Sequence, residues 1–359
     1  MLAMPQILHP GTINETISQL EVINDRLQTF FVGGGGRDAQ SGRNFAYDVF
    51  NDSREVGQGR MPGTGPSRVK PQYVGTIRGA FPRWHESIPL LYEDIHNIRQ
   101  IGSMNVDVRG EGYILKQERY LAQRATNHRE FQFAAMIRGK YYFTQDGDNL
   151  NVSLTSGAVE VDFQVPAGNK TQLDMLGAGN IISASWATTS TDIPAQLFAI
   201  NAAFEQLTGR QLNHIWMNSA TFQYVLNNDK VKGLAGTANV VFDSFVRVGK
   251  NDFECKLKGL PMFTFHITDG LLNLNGTPTK LFGTDQVLFC PEPDSTWISY
   301  GEGSEVVVEY PGAAPTERFG AYFWAEPTTK PAGYELIGVM NGIPFLYNPY
   351  ALAFADVTP

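Results

Sequence analysis

The chain has 359 residues, 42% hydrophobic and 18% charged, with a net charge of −8. A chain of this length buries a sizeable core and is normally two domains. The acidic balance argues against gripping nucleic acid through a basic surface, and no apolar run approaches the ~18 residues of a membrane span.

The opening MLAMPQILHPG has neither a basic stretch nor a long apolar one, so no secretory signal is expected. The spacing of Ile13, Ile17, Leu20 and Leu27 predicts a helix over 12–28, with Thr12 and Glu15 at capping-box spacing. Gly33 to Gly36 should break the chain. Phe45, Tyr47, Val49 and Phe50 mark a strand, and Val69 to Ile77 its return. Between them GQGRMPGTGP, residues 57–66, carries four Gly and two Pro. Such a long structureless tip is uncommon inside a compact domain, but makes sense if another copy of the chain orders it.

The stretch from Ile114 to Gly147 is the organising element. Good helix formers fill it, and Leu115, Ala122, Ala125, Phe133, Met136 and Ile137 form a thin apolar stripe. Lys116, Glu118, Arg119, Arg124, Arg129, Glu130 and Arg138 are placed on the facing side. The helix would run roughly 24 residues, about 36 Å, and stop at Gly139 beside the cations Arg138 and Lys140. KYYFT follows as a strand, and Asp146-Gly147 suits a hairpin turn. Val159, Val161, Phe163 and Val165 alternate with Glu160, Asp162 and Gln164, the period of a half-buried strand.

A second unit begins near Ser190. Asp192 is the predicted N-cap of a helix carrying Leu197, Ile200, Phe204 and Leu207, which Gly209 ends. His214–Met217 reads as a strand, Ser219 as the cap of the next helix, and 261–267 and 287–290 as further strands. The tail supplies strands at 304–310, 319–324 and 334–339, which should return to the sheet beside the long helix. No internal repeat is present.

Sites of chemistry fail on inspection. Gly33–Gly36 lacks the Lys-Ser/Thr of a phosphate loop, and Gly301-Glu302-Gly303 lacks the third glycine of a dinucleotide site and reads as a turn. No two of the six histidines stand at metal-ligand spacing, and His128 is read as a hydrogen-bonded structural residue. The Asp146 segment misses the fifth and twelfth positions of a calcium loop. Glu86 and Glu93 are one of many acidic pairs and carry no specific signal. Cys255 and Cys290 read as reduced, buried thiols, with proximity of either to a histidine left open. No catalytic residue, metal or cofactor is assigned.

The long helix closing on Ile137-Arg138-Gly139-Lys140-Tyr141 resembles the spine helix of lambda-type tailed-phage major capsid proteins, the capsid protein E family. Val69-Lys70-Pro71 upstream and KPAGYELIGVMNGIPFLYNPYALAFADV at the C-terminus extend the likeness over nearly the whole chain. The motifs are degenerate singly and specific as an ordered set.

The resemblance implies an α+β, HK-97-like major capsid fold. Its parts would be an N-arm at 1–37, an E-loop at 38–84, a P-domain at 85–189 holding the spine helix, an A-domain at 190–320 and a return to the P-domain at 321–359. It implies no enzyme, but a subunit that self-assembles into pentamers and hexamers of an icosahedral shell around double-stranded DNA. Partners would be a separate scaffold protein, a portal, possibly a decoration protein, and packaged DNA by loose contact, with assembly in the host cytoplasm and no membrane. The same fold builds encapsulin compartments, which leaves a cellular shell protein as the alternative. A soluble α+β hydrolase or sugar-binding protein is the reading from another class, favoured only by aromatic content.

Overall fold

The computed structural model describes residues 8–19, 25–50, 73–91, 107–146, 149–234, 236, 239–249, 252–309, 313–329 and 331–359. Two short helices, α1 (Pro10–Gln19) and α2 (Arg26–Gly35), stand where one was predicted. Since α1 starts at Pro10, Thr12 lies inside it and cannot cap. The glycine run does not break the chain where expected. α2 passes through Gly33–Gly35 and ends at Gly36, whose φ of 77° suits a residue without a side chain. The reason is steric. A Cβ at Gly34 would meet the Pro293 carbonyl oxygen at 2.2 Å, and one at Gly35 the Ile298 oxygen at 2.4 Å.

Four strands follow: β1 (Arg37–Gln40), β2 (Asn44–Phe50), β3 (Tyr73–Ala80) and β4 (Arg83–Leu91). β2 alternates as predicted, burying Phe45, Tyr47 and Val49, and pairs antiparallel with β3 from Asn44↔Ala80 to Phe50↔Tyr73. The predicted tip at 57–66 and residues 69–72 lie outside the described residues.

The long helix, α3, spans Asp107–Arg138, 32 residues. It begins earlier than the pattern suggested, passing through Gly110 and Gly112, and is about 48 Å long. The single apolar stripe is wrong at both ends. Leu115 is exposed, while Glu118 and Glu130, placed on the wet face, are buried. Toward its C-terminus every residue from Glu130 to Ile137 is buried, so no solvated face exists there. Gly139, at φ 87°, ends the helix as predicted.

Strands β5 (Lys140–Asp146), β6 (Asn149–Ser153) and β7 (Ala158–Asp162) form a small sheet with β5 central. Asp146 pairs antiparallel with Asn149, while residues 147–148 of the predicted turn lie outside the described residues, and Val161, Phe163 and Val165 are buried with Asp162 and Gln164 outside. After β8 (Lys170–Thr171) comes α4 (Ile193–Thr208), capped by Asp192, whose carboxylate accepts from Ala195 N–H at 3.0 Å, and closed by Gly209 in the left-handed region. β9 (His214–Met217) leads to α5 (Ser219–Asn227). Its cap is Asn218 rather than Ser219, accepting from Thr221 N–H at 2.7 Å.

The rest is α6 (Asp229–Leu234), β10 (Phe242–Arg247), β11 (Phe253–Leu257), β12 (Leu260–Ile267), β13 (Leu271–Leu274), β14 (Thr277–Lys280) and β15 (Gln286–Cys290). It closes with β16 (Ile298–Val307), β17 (Thr316–Thr329), β18 (Ala332–Leu346) and β19 (Ala353–Asp356). The tail strands thus run longer than the alternation showed.

Two sheets organise these strands. A five-stranded sheet has the order β1-β16-β17-β18-β4, and a seven-stranded sheet the order β10-β11-β12-β9-β15-β19-β8. The tail strands β17 and β18 do return beside α3, which packs on β18 and β4. The last strand, β19, crosses instead into the seven-stranded sheet. One core fills the space between the sheets, joining α3 residues 131–137 to Trp216 and Leu288 on one side and to Tyr300, Ile343 and Phe345 on the other. A second core lies under α4, α5 and α6 on the opposite face of the seven-stranded sheet.

The glycine contacts give a paired test. Gly35→Ala should cost about 1–3 kcal/mol through overpacking against Ile298. Gly33→Ala, with nothing within 4 Å of the new Cβ, should be neutral or stabilising by up to ~1 kcal/mol. Thermal melts of the two variants check the difference, and equal melting temperatures would contradict the close approach.

Candidate assembly surfaces

The end of α3 is tied to everything around it by polar contacts among apolar ones. Glu130 sits where α2 begins, and its two carboxylate oxygens accept from Leu27 N–H at 2.8 Å and Gln28 N–H at 3.0 Å. An N-terminal helix end leaves such donors orphaned, so a carboxylate from a neighbouring helix serves as the cap that Asp25 does not provide. Burial pushes the Glu130 carboxyl up to about 8, against the pull of those two donors. Two residues on, Gln132 donates to Gly342 O at 2.6 Å and accepts from the Tyr300 hydroxyl at 2.7 Å, which fixes the five-stranded sheet. Arg138 donates to Leu281 O at 2.6 Å and lies 5.1 Å over the Phe354 ring, which fixes the seven-stranded sheet.

Glu118 is different: among the described residues neither of its oxygens has a hydrogen-bond partner, and burial lifts its carboxyl to about 7. His128 also departs from its predicted role, since its buried Nε2 has no partner among the described residues. Burial lowers its pKa to about 4.

The root of the β2–β3 hairpin is held by ion pairs. Arg43 reaches the buried Glu305 at 2.6 Å, Arg83 reaches it at 3.3 Å, and Arg37 pairs with Glu302 at 3.1 Å. Burial alone would raise the Glu305 carboxyl, but Asn341, Arg43 and Arg83 hold it below its ordinary value. Gly301 and Gly303, read as a turn, lie mid-strand in β16. Their missing side chains admit the Phe345 and Phe81 rings, which a Cβ would meet at 2.1 and 2.5 Å.

One cluster that no spacing rule could find lies on the α2-facing side of the seven-stranded sheet. His214 Nδ1 and His266 Nε2 are 2.8 Å apart, because β9 and β12 are parallel neighbours. His214 Nε2 contacts Glu292, and Glu254 stands 3.3 Å from His266 and 2.9 Å from Arg26 of α2. The Trp216 ring stacks on His266 with centroids 4.2 Å apart. The His266 ring, then Arg26, hold the Glu254 carboxyl down to about 2, while burial lowers His266. These contacts lock α2 to the sheet.

Cys290 faces His214 across the β15–β9 pairing, yet its thiol is raised by burial and so is poorly nucleophilic. Both cysteines are free and buried, as expected. Glu86 is engaged by Arg124, and Glu93 lies outside the described residues. Among the described residues no group of three or more His, Cys, Asp or Glu could hold a metal, and no helix is long and apolar enough to cross a membrane.

What the chain does leave open is apolar surface. Phe242, Phe245, Val246 and Val248 are exposed along β10, and Val306, Val308 and Phe319 at the end of the β16–β17 pair. The family model for phage major capsid protein E matches residues 11–357. The chain belongs to that family.

No curated relative matches it in sequence. Among solved structures, one described as a prophage capsid protein from E. coli CFT073 superposes with a TM-score of 0.60. It is 14% identical and covers 99% of this chain and 100% of its own. A phage-related protein from Bordetella bronchiseptica RB50 gives a TM-score of 0.51 at 9% identity, covering 97% of each chain. The HK-97-like fold and the family together make this a phage major capsid protein, a structural component of the virion and not an enzyme. Capsid subunits work by contact geometry, so the polar ties above are joints of a wall rather than a catalytic site. The hydrolase and sugar-binding readings fall away.

Two measurements check the joints. Glu130→Ala should cost about 0.5–2 kcal/mol by orphaning the two α2 donors, seen as a lower melting temperature. Glu118→Gln should raise stability at neutral to alkaline pH. The folded carboxyl binds its proton up to about pH 7, whereas an unfolded one releases it near 4.5, so wild-type stability falls as pH rises between those values. The Gln variant escapes that loss, so its advantage should grow across this window and vanish below it. A pH-independent difference between the two would contradict the assignment.

Proposed function

We propose that copies of this chain form the pentamers and hexamers of an icosahedral shell around the double-stranded DNA genome of a tailed phage. The layout would be an N-arm at 1–37, an E-loop at 38–84, a P-domain at 85–189 closed by 321–359, and an A-domain at 190–320. Sheet membership favours moving β16 to the P-domain, because it pairs with β17 and β18. The pairing of β19 with β15 likewise favours grouping it with the A-domain.

The observation that carries the reading is the anchoring of α3 to both sheets. A 32-residue rod is wedged between two sheets by apolar packing and fixed to each by Gln132 and Arg138. A rod held at that end can transmit forces between neighbours without unfolding. Phe50 and Tyr73, the residues that flank 51–72, pair with each other, which supports an E-loop reaching a neighbour.

Subunits would first close into a rounded procapsid in the host cytoplasm with a scaffold protein and a portal. DNA entry would then drive expansion, with the units shifting as rigid bodies. A decoration protein could bind the expanded shell. Contact with DNA would be loose, since a net charge of −8 offers no basic lining and salt ions neutralise the packed phosphates.

The test is expression of the chain with and without its scaffold protein, followed by negative-stain imaging. Particles hundreds of ångströms across are expected, and a monodisperse monomer or dimer in both cases would overturn the reading. Deleting residues 57–66 should abolish shells while leaving the subunit soluble. Normal shells after that deletion would remove the E-loop assignment.

A further inference from the structure

The histidine pair beneath α2 differs from the other joints, because imidazoles change charge near neutral pH. His266 lies in the seven-stranded sheet with 3% of its surface exposed. The Trp216 ring stacks on it, and the Phe30 ring of α2 stands 5.4 Å away. Phe30 also meets His214 at 4.9 Å and Trp216 at 5.0 Å, so one α2 side chain touches all three rings. Arg26, one turn earlier, reaches Glu254 at 2.9 Å and lies 5.9 Å over Trp216. The first turn of α2 is the cover of a small polar site.

Counting protons shows what that site lacks. Glu292, His214, His266 and Glu254 form a row with three contacts between them. Each contact needs one hydrogen; ionised carboxylates bring none, and two neutral imidazoles bring two. The two contacts of His214 are the shorter ones and take both. His266 Nδ1 is then bare, 3.3 Å from Glu254 and without a hydrogen-bond partner among the described residues. That nitrogen is the place for an added proton. A further proton fits nowhere, because it would set two N–H groups against each other across the 2.8 Å between the rings.

The added proton is poorly placed while α2 is seated. Glu254 attracts it, yet that carboxylate already holds Arg26. Burial, the His214 ring and Arg26 all oppose it, burial most of all, and the balance pulls His266 below its ordinary value. The other groups around the site are Cys290, opposite His214 on β15, and Glu130 and Asp25 at the start of α2. Glu130 titrates at about 8 and Glu254 at about 2, while burial keeps the Cys290 thiol neutral.

We propose that the His214–His266 pair is an acid-sensitive latch on α2: neutral, it seats the first turn of α2 on the seven-stranded sheet, and a proton on His266 lifts that turn away. Lifting Arg26 and Phe30 opens His266 to water and removes a nearby cation, so the open form binds the proton more readily than the seated one. The seat is therefore firm above about pH 6.5 and weakens as pH falls below it. This is a property of the single subunit and stands whether or not shells form.

The experiment is hydrogen exchange by mass spectrometry on the unassembled full-length chain at about pH 7.5 and about pH 5.5, corrected for the intrinsic effect of pH on amide exchange. In wild type, opening of α2 should become roughly three- to tenfold more frequent at the lower pH. Helix α4 is the reference and should stay unchanged. His266→Gln is neutral at both pH values and keeps an amide donor for His214, so its α2 should show no pH response. His266→Asn takes its place if the Gln variant does not fold. A wild-type α2 indifferent to pH, an equal rise in α4, or a response that survives in the neutral variant would each overturn the latch.

Discussion

The structure depends on one stretch of helix with no solvated side. From Glu130 to Ile137 every residue of α3 is buried, and this segment fills the gap between the two sheets. Packing of this kind is close to that of an organic crystal, so a small displacement of the rod disturbs both sheets at once. Apolar contact supplies most of the attraction and none of the direction. Direction comes from polar groups spaced along the same turns: Glu130 toward α2, Gln132 toward β16 and β18, Arg138 toward Leu281 and β19.

Two further carboxylates follow the same rule. The buried Glu305 is surrounded by Arg43, Arg83 and Asn341, and the half-buried Glu254 by Arg26 and His266. A carboxylate stripped of its partners would be costly where it is buried, so the Glu305 site resists rearrangement more strongly than its net contribution to stability suggests. Both stand at junctions: the root of the β2–β3 hairpin, and the meeting of α2 with the seven-stranded sheet. Glu118 is the exception, a buried acid with no partner among the described residues. A subunit of a shell needs stiff parts and defined joints, and this distribution of buried charge provides both. The open apolar surfaces at β10 and at the end of β16–β17 lie away from those joints, on the periphery of the sheets.

Much of this was legible in the residues. The Asp192 cap with Gly209 as stop, the Gly139 stop and the alternation of β2 depend on neighbours within a few positions, where local geometry decides. The ordered motifs carried the family, because they recur over the whole chain. Other features misled local reading, through distant contacts or through a neighbouring residue that serves equally well. Gly33–Gly35 looked like a breaker, yet continues a helix that the Pro293 and Ile298 backbones approach. Ser219 looked like a cap, one residue from Asn218, which takes that role.

The type of the strongly patterned elements, the boundaries set by Asp192, Gly139 and Gly209, and membership of a capsid family were thus determined by the sequence itself, since each follows from local preference or from motif order. Only the tertiary structure decided that Glu130 is a helix cap, that His214 and His266 touch, and that β16 and β19 exchange sheets relative to their neighbours in the chain. Those outcomes join residues tens to hundreds of positions apart. A period of 3.6 or 2 states which faces are apolar, but not which surface each face will meet.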